Sequence, residues 1–200
     1  MALIKTALEL ALERTENVKG DPNLLLKAEA KQRGKKLAGD YLDDFQADVD
    51  SKVFASSIPA PSVADSPEAA MREAAFELLL SQVKLPELAE DVVRLKRVGK
   101  GLGLILAVPS FEHLFAQLIE LAEHYLNELE KYENLLRKQY EPTLRQKEQE
   151  LASRTGRVIK LDPMQDPEFV KFRNENIQVL REGYEQGLEQ VREKARELYK

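Results

Sequence analysis

Apolar residues along this chain recur mostly at intervals of three and four, which is the spacing of one face of an α-helix. Prolines divide the pattern, because Asp21-Pro22, Ser66-Pro67 and Asp166-Pro167 each predict a capping residue followed by the first residue of a helix. The resulting segments predict about six helices and therefore an all-α fold. The first of them covers residues 2 to 16 and the last begins at Pro167.

The strongest pattern lies in residues 109–200. Apolar residues alternate at spacings of four and three through almost four repeats, and a second seam of the same kind runs to the end of the chain. Two such seams joined by a short non-helical connection at about 155–166 predict a long antiparallel, coiled-coil-like helical hairpin. The seam residues expected in its core include Tyr125, Leu129, Tyr132, Tyr184, Leu188 and Val191.

Pro142 interrupts the first of these two seams. Because proline lacks a backbone donor, it either kinks one long helix or starts a new one at a break. A continuous helix from Ser110 to Ser153 would be about 65 Å long at 1.5 Å per residue.

Residues 1–108 predict a small helical body. Within it, the crossing at about 51–66 is rich in serine, alanine and proline and has no sustained helical stripe. We interpret it as a linker or surface crossing, and a loop of this length is also a candidate docking segment.

Residues 97–110 read RVGKGLGLILAVPS. The spacing of Gly99, Gly101 and Gly103 matches neither a P-loop nor a dinucleotide-binding turn, and the glycines follow a predicted helix instead of preceding one. The favoured interpretation is a hinge, with Gly99 ending the helix before it. The alternative is an anion or nucleotide site, in a binding protein or an enzyme, that would use Lys96, Arg97, Lys100 and Gly101.

Charge and cysteine content narrow the function further. The formal net charge is −5, from 30 basic and 35 acidic residues of interspersed sign, which argues against nucleic-acid binding. The absence of cysteine removes thiolate chemistry and fits a reducing compartment, so we expect a cytoplasmic protein. The longest uncharged run, 101–111, is far shorter than the roughly 20 residues of a membrane span, and peripheral membrane contact is not expected either.

Metal chemistry has one candidate pair. Glu120 and His124 are four residues apart on a predicted helix and could share an ion, whereas the two histidines, His113 and His124, would lie about 16 Å apart along it. With no Glu-x-x-His pair at either histidine, we expect no metal and no cofactor. Nucleophilic catalysis has no recognisable motif, so an enzyme is not favoured.

These patterns favour a non-catalytic interaction or assembly module that uses the helical hairpin as a rod, clamp or oligomerisation element. Its expected partner is another protein or a second copy of the chain. The predicted contact residues lie at the connection between the two long helices: Arg157, Val158, Ile159, Leu161 and Met164.

Overall fold

The computed structural model describes residues 22–43, 47–60, 63–158 and 160–200, and in these ranges it contains helices and no strand. The predicted all-α fold is confirmed, whereas the predicted helix over residues 2 to 16 lies outside the described residues. The helices are α1 (Pro22–Asp43), α2 (Ala47–Ser57), α3 (Pro67–Ser81), α4 (Ala89–Leu106), α5 (Pro109–Thr155) and α6 (Pro167–Tyr199), with a 3₁₀ turn at Pro163–Gln165.

Contacts divide the chain into two units, Met1–Leu78 and Leu79–Lys200. This division differs from the predicted boundary near residue 108. The reason is that α4 packs along α5, so α4 belongs with the long helices and not with the amino-terminal body.

In the first unit, α1 and α2 pack through aromatic residues. The rings of Tyr41 and Phe54 stack with centroids 4.4 Å apart, and both side chains are buried. The prediction of a non-helical crossing is therefore wrong over residues 51–57, which complete α2. The serines and alanines of residues 51–57 form no clear apolar stripe in the sequence. In the structure the helix packs through the buried side chains of Phe54 and Ser51.

Gly34 is a point of close contact between α1 and α3. A Cβ atom at this position would overlap the backbone carbonyl oxygen of Met71, well inside van der Waals contact. Gly34 is buried, so the two backbones lie against each other there. The contact depends on the absence of a side chain.

The second unit contains α4, α5 and α6. Asp91 Oδ2 accepts hydrogen bonds from the backbone N–H groups of Glu87 and Leu88, both at 2.9 Å, and so satisfies amides at the start of α4. The helix ends at Ala107, which adopts a left-handed conformation with φ of 55°.

The hinge interpretation of the glycine-rich segment is wrong. Gly99, Gly101 and Gly103 are all buried inside α4, and α4 continues past them to Leu106. A Cβ atom at Gly99 would overlap the ring of Phe115 on α5. Gly99 is thus a site of close helix packing, and the joint between α4 and α5 is Ala107 and Val108.

The two long helices run in opposite directions against each other. α5 has 47 residues, which corresponds to about 70 Å, and Pro142 lies inside it without dividing it. Glu128 contacts Tyr184, and Glu133, further along α5, contacts Arg173, earlier on α6. Of the predicted core residues, Tyr125, Leu188 and Val191 are buried, whereas Leu129, Tyr132 and Tyr184 are half-buried.

Candidate functional site

The predicted anion site is not assembled as a loop. Gly101 is buried within α4, so its amide does not belong to a turn that could wrap a phosphate. Lys96 Nζ lies 2.8 Å from Glu123 Oε1 on α5, Arg97 is half-buried and Lys100 is exposed. These cations line a helix that packs along α5, and they do not converge on a glycine-rich cradle.

The predicted metal pair, Glu120 and His124, lies exposed on α5. In the described part of the chain, no group of three or more histidine, aspartate, glutamate or cysteine side chains is placed to hold a metal ion. His124 instead contacts α6, where its Nδ1 lies 2.7 Å from the hydroxyl of Tyr184.

Tyr184 joins His124 and Glu128 in a chain of hydrogen bonds. The Tyr184 hydroxyl donates to Glu128 Oε2 at 2.6 Å. A phenol has only one hydrogen, so Nδ1 of His124 donates to the same oxygen. Burial, followed by the bond to Glu128 and its charge, raises the pKa of Tyr184 to about 12. The residues are up to 60 positions apart, so only the register of α5 against α6 brings them together.

We expect Glu128→Gln to lower the pKa of Tyr184 from about 12. The value should stay above the ordinary 10, because burial is its largest cause and remains. The pKa of Tyr184 is higher in the folded state than in the unfolded state. The protonated hydroxyl therefore contributes its full share to the free energy of unfolding below pH 10, and this contribution is lost as the pH rises towards 12. Ultraviolet titration of the phenolate checks this, with Tyr184→Phe identifying the step. An unchanged midpoint in Glu128→Gln would contradict the assigned bond.

Lys147 anchors the connection between α5 and α6. Its Nζ lies 2.7 Å from both Asp166 Oδ2 and Glu168 Oε2, and the Tyr140 hydroxyl donates to Asp166 at 3.0 Å. The bond to Asp166 is the main cause that raises the pKa of Lys147, and the same bond lowers the pKa of Asp166. Asp166 also accepts from the backbone N–H of Glu168 and so caps α6, as the sequence predicts.

The predicted contact residues at the connection are mostly exposed. Val158 is 92% exposed, Met164 is 42% exposed and Arg157 is exposed too. Leu161 is half-buried and its backbone N–H donates to Glu148 at 2.8 Å, whereas Ile159 lies outside the described residues. The anchored connection therefore presents Arg157 and Val158 to solvent.

A groove of about 1180 Å³ lies where α4 begins beside α5 and α6, and we call it the α4-end groove. Leu88 and Val93, which line it, are 65% and 63% exposed. Charged residues around the groove pair with each other, as in the ion pairs Lys96–Glu123, Arg173–Glu133 and Arg181–Glu87. An apolar surface with a charged rim is typical of contacts between proteins.

A second groove, of about 700 Å³, lies on another side of the same helix pair. We call it the Val179 face, because Val179 is 71% exposed there. The residues that line it include no lysine, arginine, aspartate or glutamate: Leu121, His124, Tyr132, Val179, Leu180, Gly183 and Tyr184. The spacing of apolar residues in the sequence predicts that α5 and α6 pair. It cannot show which apolar residues of one helix stay uncovered by the other.

Comparisons with known proteins place this chain in a family without assigning an activity. No curated protein and no solved structure matches it. None of the described helices combines the length and the apolar character needed to cross a membrane. A family model matches residues 62–197, which is more than half of the chain and includes both grooves. The chain therefore belongs to DUF6657, a family of unknown function.

Proposed function

We propose that this protein is a non-catalytic interaction or assembly module in which the α5–α6 pair is the binding element. The observation that carries the proposal is the exposure of large apolar side chains in two separate grooves that this pair lines, one with an exposed residue of α4 and the other with an exposed residue of α6. Val93 at the α4-end groove and Val179 on the Val179 face are each more than 60% exposed. Contiguous exposed apolar surface beside polar residues is typical of a binding site for another protein.

The construction of the pair supports this role. A helix of about 70 Å offers a long surface, and its connection to α6 is fixed by Lys147 and Asp166. A rigid coiled-coil-like rod loses little conformational entropy when a partner binds. We also propose the cytoplasm as its compartment, because a chain without cysteine suits a reducing environment.

Site-specific photocrosslinking in cells tests the proposal. We expect a photoreactive phenylalanine analogue at Val93 or at Val179 to give a discrete adduct, because each is an exposed apolar side chain that lines a groove. The same analogue at Glu193, an exposed residue of α6 outside both grooves, should give none. Adducts are resolved by electrophoresis and identified by mass spectrometry.

The pattern of adducts decides the outcome. An adduct of twice the chain mass means self-association, and any other discrete mass identifies a different partner. If neither Val93 nor Val179 gives a discrete adduct, or if Glu193 gives the same adducts as they do, the proposed function is wrong.

A further inference from the structure

We propose that the bond between Arg157 and Val158 is a cleavage site, cut in the folded protein by a protease that requires arginine or lysine before the scissile bond. The two pieces of the second unit stay together after the cut. This inference goes beyond the proposed function and does not depend on it. Its basis is the placement of basic residues outside the helices, the exposure of this bond, and the packing of α6 on α5.

Most basic residues of the described chain lie inside helices. A protease binds its substrate in an extended conformation, so a bond within a packed helix is protected until that helix opens. Cleavage of folded proteins therefore concentrates in exposed connections. In the described part of the chain, three residues of the connections between helices fit this protease specificity: Lys84, Arg157 and Lys160.

The bond after Lys84 is protected by burial on both sides. Val83 is fully buried, and Leu85 is only 6% exposed. The carbonyl oxygen of Val83 also accepts a hydrogen bond from Arg192 Nε of α6 at 3.0 Å. A protease would have to lift this segment off α6 before it could bind Lys84.

The bond after Lys160 is held against α5. Its nitrogen is that of Leu161, whose N–H donates to Glu148 at 2.8 Å. The Leu161 side chain is half-buried as well. This hydrogen bond must break before the peptide bond can enter an active site, although Lys160 itself is exposed.

The bond between Arg157 and Val158 has neither form of protection. Val158 is 92% exposed, and Arg157 is exposed too. Neither residue forms a hydrogen bond or an ion pair with another described residue. Gly156, just before them, ends α5 in a left-handed conformation with φ of 70°, so the chain leaves the helix at this point. Arg157 and Val158 are therefore the most accessible of the three candidate positions.

α6 remains attached to α5 when this bond is cut. Phe169 of α6 is 1% exposed, and its ring lies 5.2 Å from that of Tyr140 on α5. Lys147 Nζ of α5 lies 2.7 Å from Asp166 Oδ2 at the start of α6. None of these contacts involves the cut bond. The residues that line the two grooves also lie outside the cut, so the surfaces of the proposed function stay in place.

The reaction is hydrolysis of one amide bond and consumes one water molecule. The bond between the carbonyl carbon of Arg157 and the nitrogen of Val158 breaks. The oxygen of water joins the carbonyl carbon, and both of its hydrogens end on the nitrogen. The products are a carboxylate on Arg157 and an ammonium group on Val158, with no oxidant or reductant needed.

Limited digestion of the full chain with trypsin under native conditions tests the inference. Intact-mass spectrometry locates each cut. We expect the first cut within residues 63–200 to follow Arg157. On size-exclusion chromatography without denaturant, residues 158–200 should elute together with the piece that contains α5, whereas in denaturant they should elute alone.

Three variants separate this bond from general sensitivity to the protease. Arg157→Gln should slow the first cut about tenfold or more, because only protected bonds remain in the described connections. Lys84→Gln is the matched control and should change neither the rate nor the position of the cut. Glu148→Ala removes the acceptor for the Leu161 N–H, so it should add a second cut after Lys160. Circular dichroism checks that each variant keeps its helices.

A first cut elsewhere within residues 63–200, an unchanged rate in Arg157→Gln, or elution of residues 158–200 alone without denaturant would each overturn the inference. None of these outcomes bears on the crosslinking at Val93 and Val179. Failure of the cleavage site is therefore distinguishable from failure of the proposed function.

Discussion

Replacement of Gly34 by alanine is expected to lower the free energy of unfolding of the first unit by about 3 kcal/mol. The added methyl group would overlap the backbone carbonyl oxygen of Met71. A backbone atom cannot rotate away as a side chain can, so α1 and α3 would have to separate along their contact. Chemical denaturation followed by circular dichroism measures the change.

Gly39→Ala is the matched control in the same helix. A Cβ atom at Gly39 meets nothing within 4 Å. Alanine is the better helix former, so this variant should be more stable by about 0.5–1 kcal/mol. If both variants shift the unfolding midpoint in the same direction and by the same amount, the close contact at Gly34 does not exist in solution.

Gly99→Ala is expected to destabilise the second unit by about 2 kcal/mol. Its methyl group would overlap the ring of Phe115, which is only 4% exposed and tilts against Phe111 at 5.6 Å. The ring has little room to move because its neighbours are also buried, so α4 must shift away from α5. The unfolding free energy from denaturant titration is the measurement.

Gly103→Ala tests the same helix one turn later. The nearest atoms to a Cβ there belong to the Glu112 side chain, at the ordinary contact distance of 3.6 Å. We expect unchanged or slightly increased stability, because alanine fits and favours the helix. Equal destabilisation by both substitutions would contradict close packing at Gly99 and favour a general need for glycine in this segment.

The contact at Gly99 also bears on the proposed binding surface. It fixes α4 against α5, and the start of α4 supplies Leu88 and Val93 to the α4-end groove. A shift of α4 in Gly99→Ala would therefore move these two side chains relative to α5.

The sequence by itself determined the helices of this protein and several of their ends. Apolar spacing predicts the all-α fold, since a helix that must bury one face repeats its apolar residues at three and four. The caps at Ser66 and Asp166 are equally local, because each side chain accepts a hydrogen bond from a backbone N–H two or three residues later. These features depend only on residues close together along the chain.

Tertiary structure alone decided which glycines allow close helix packing and which polar residues contact each other. The glycine spacing favours a hinge at Gly99, whereas in the structure Gly99 is buried within a continuous helix and the ring of Phe115, on the next helix, packs against it. Likewise, His124 meets Tyr184 only through the register of two helices. The exposure of Val179 depends on which faces α4 and α5 leave uncovered, and that is a property of packing between distant residues and not of spacing within one helix.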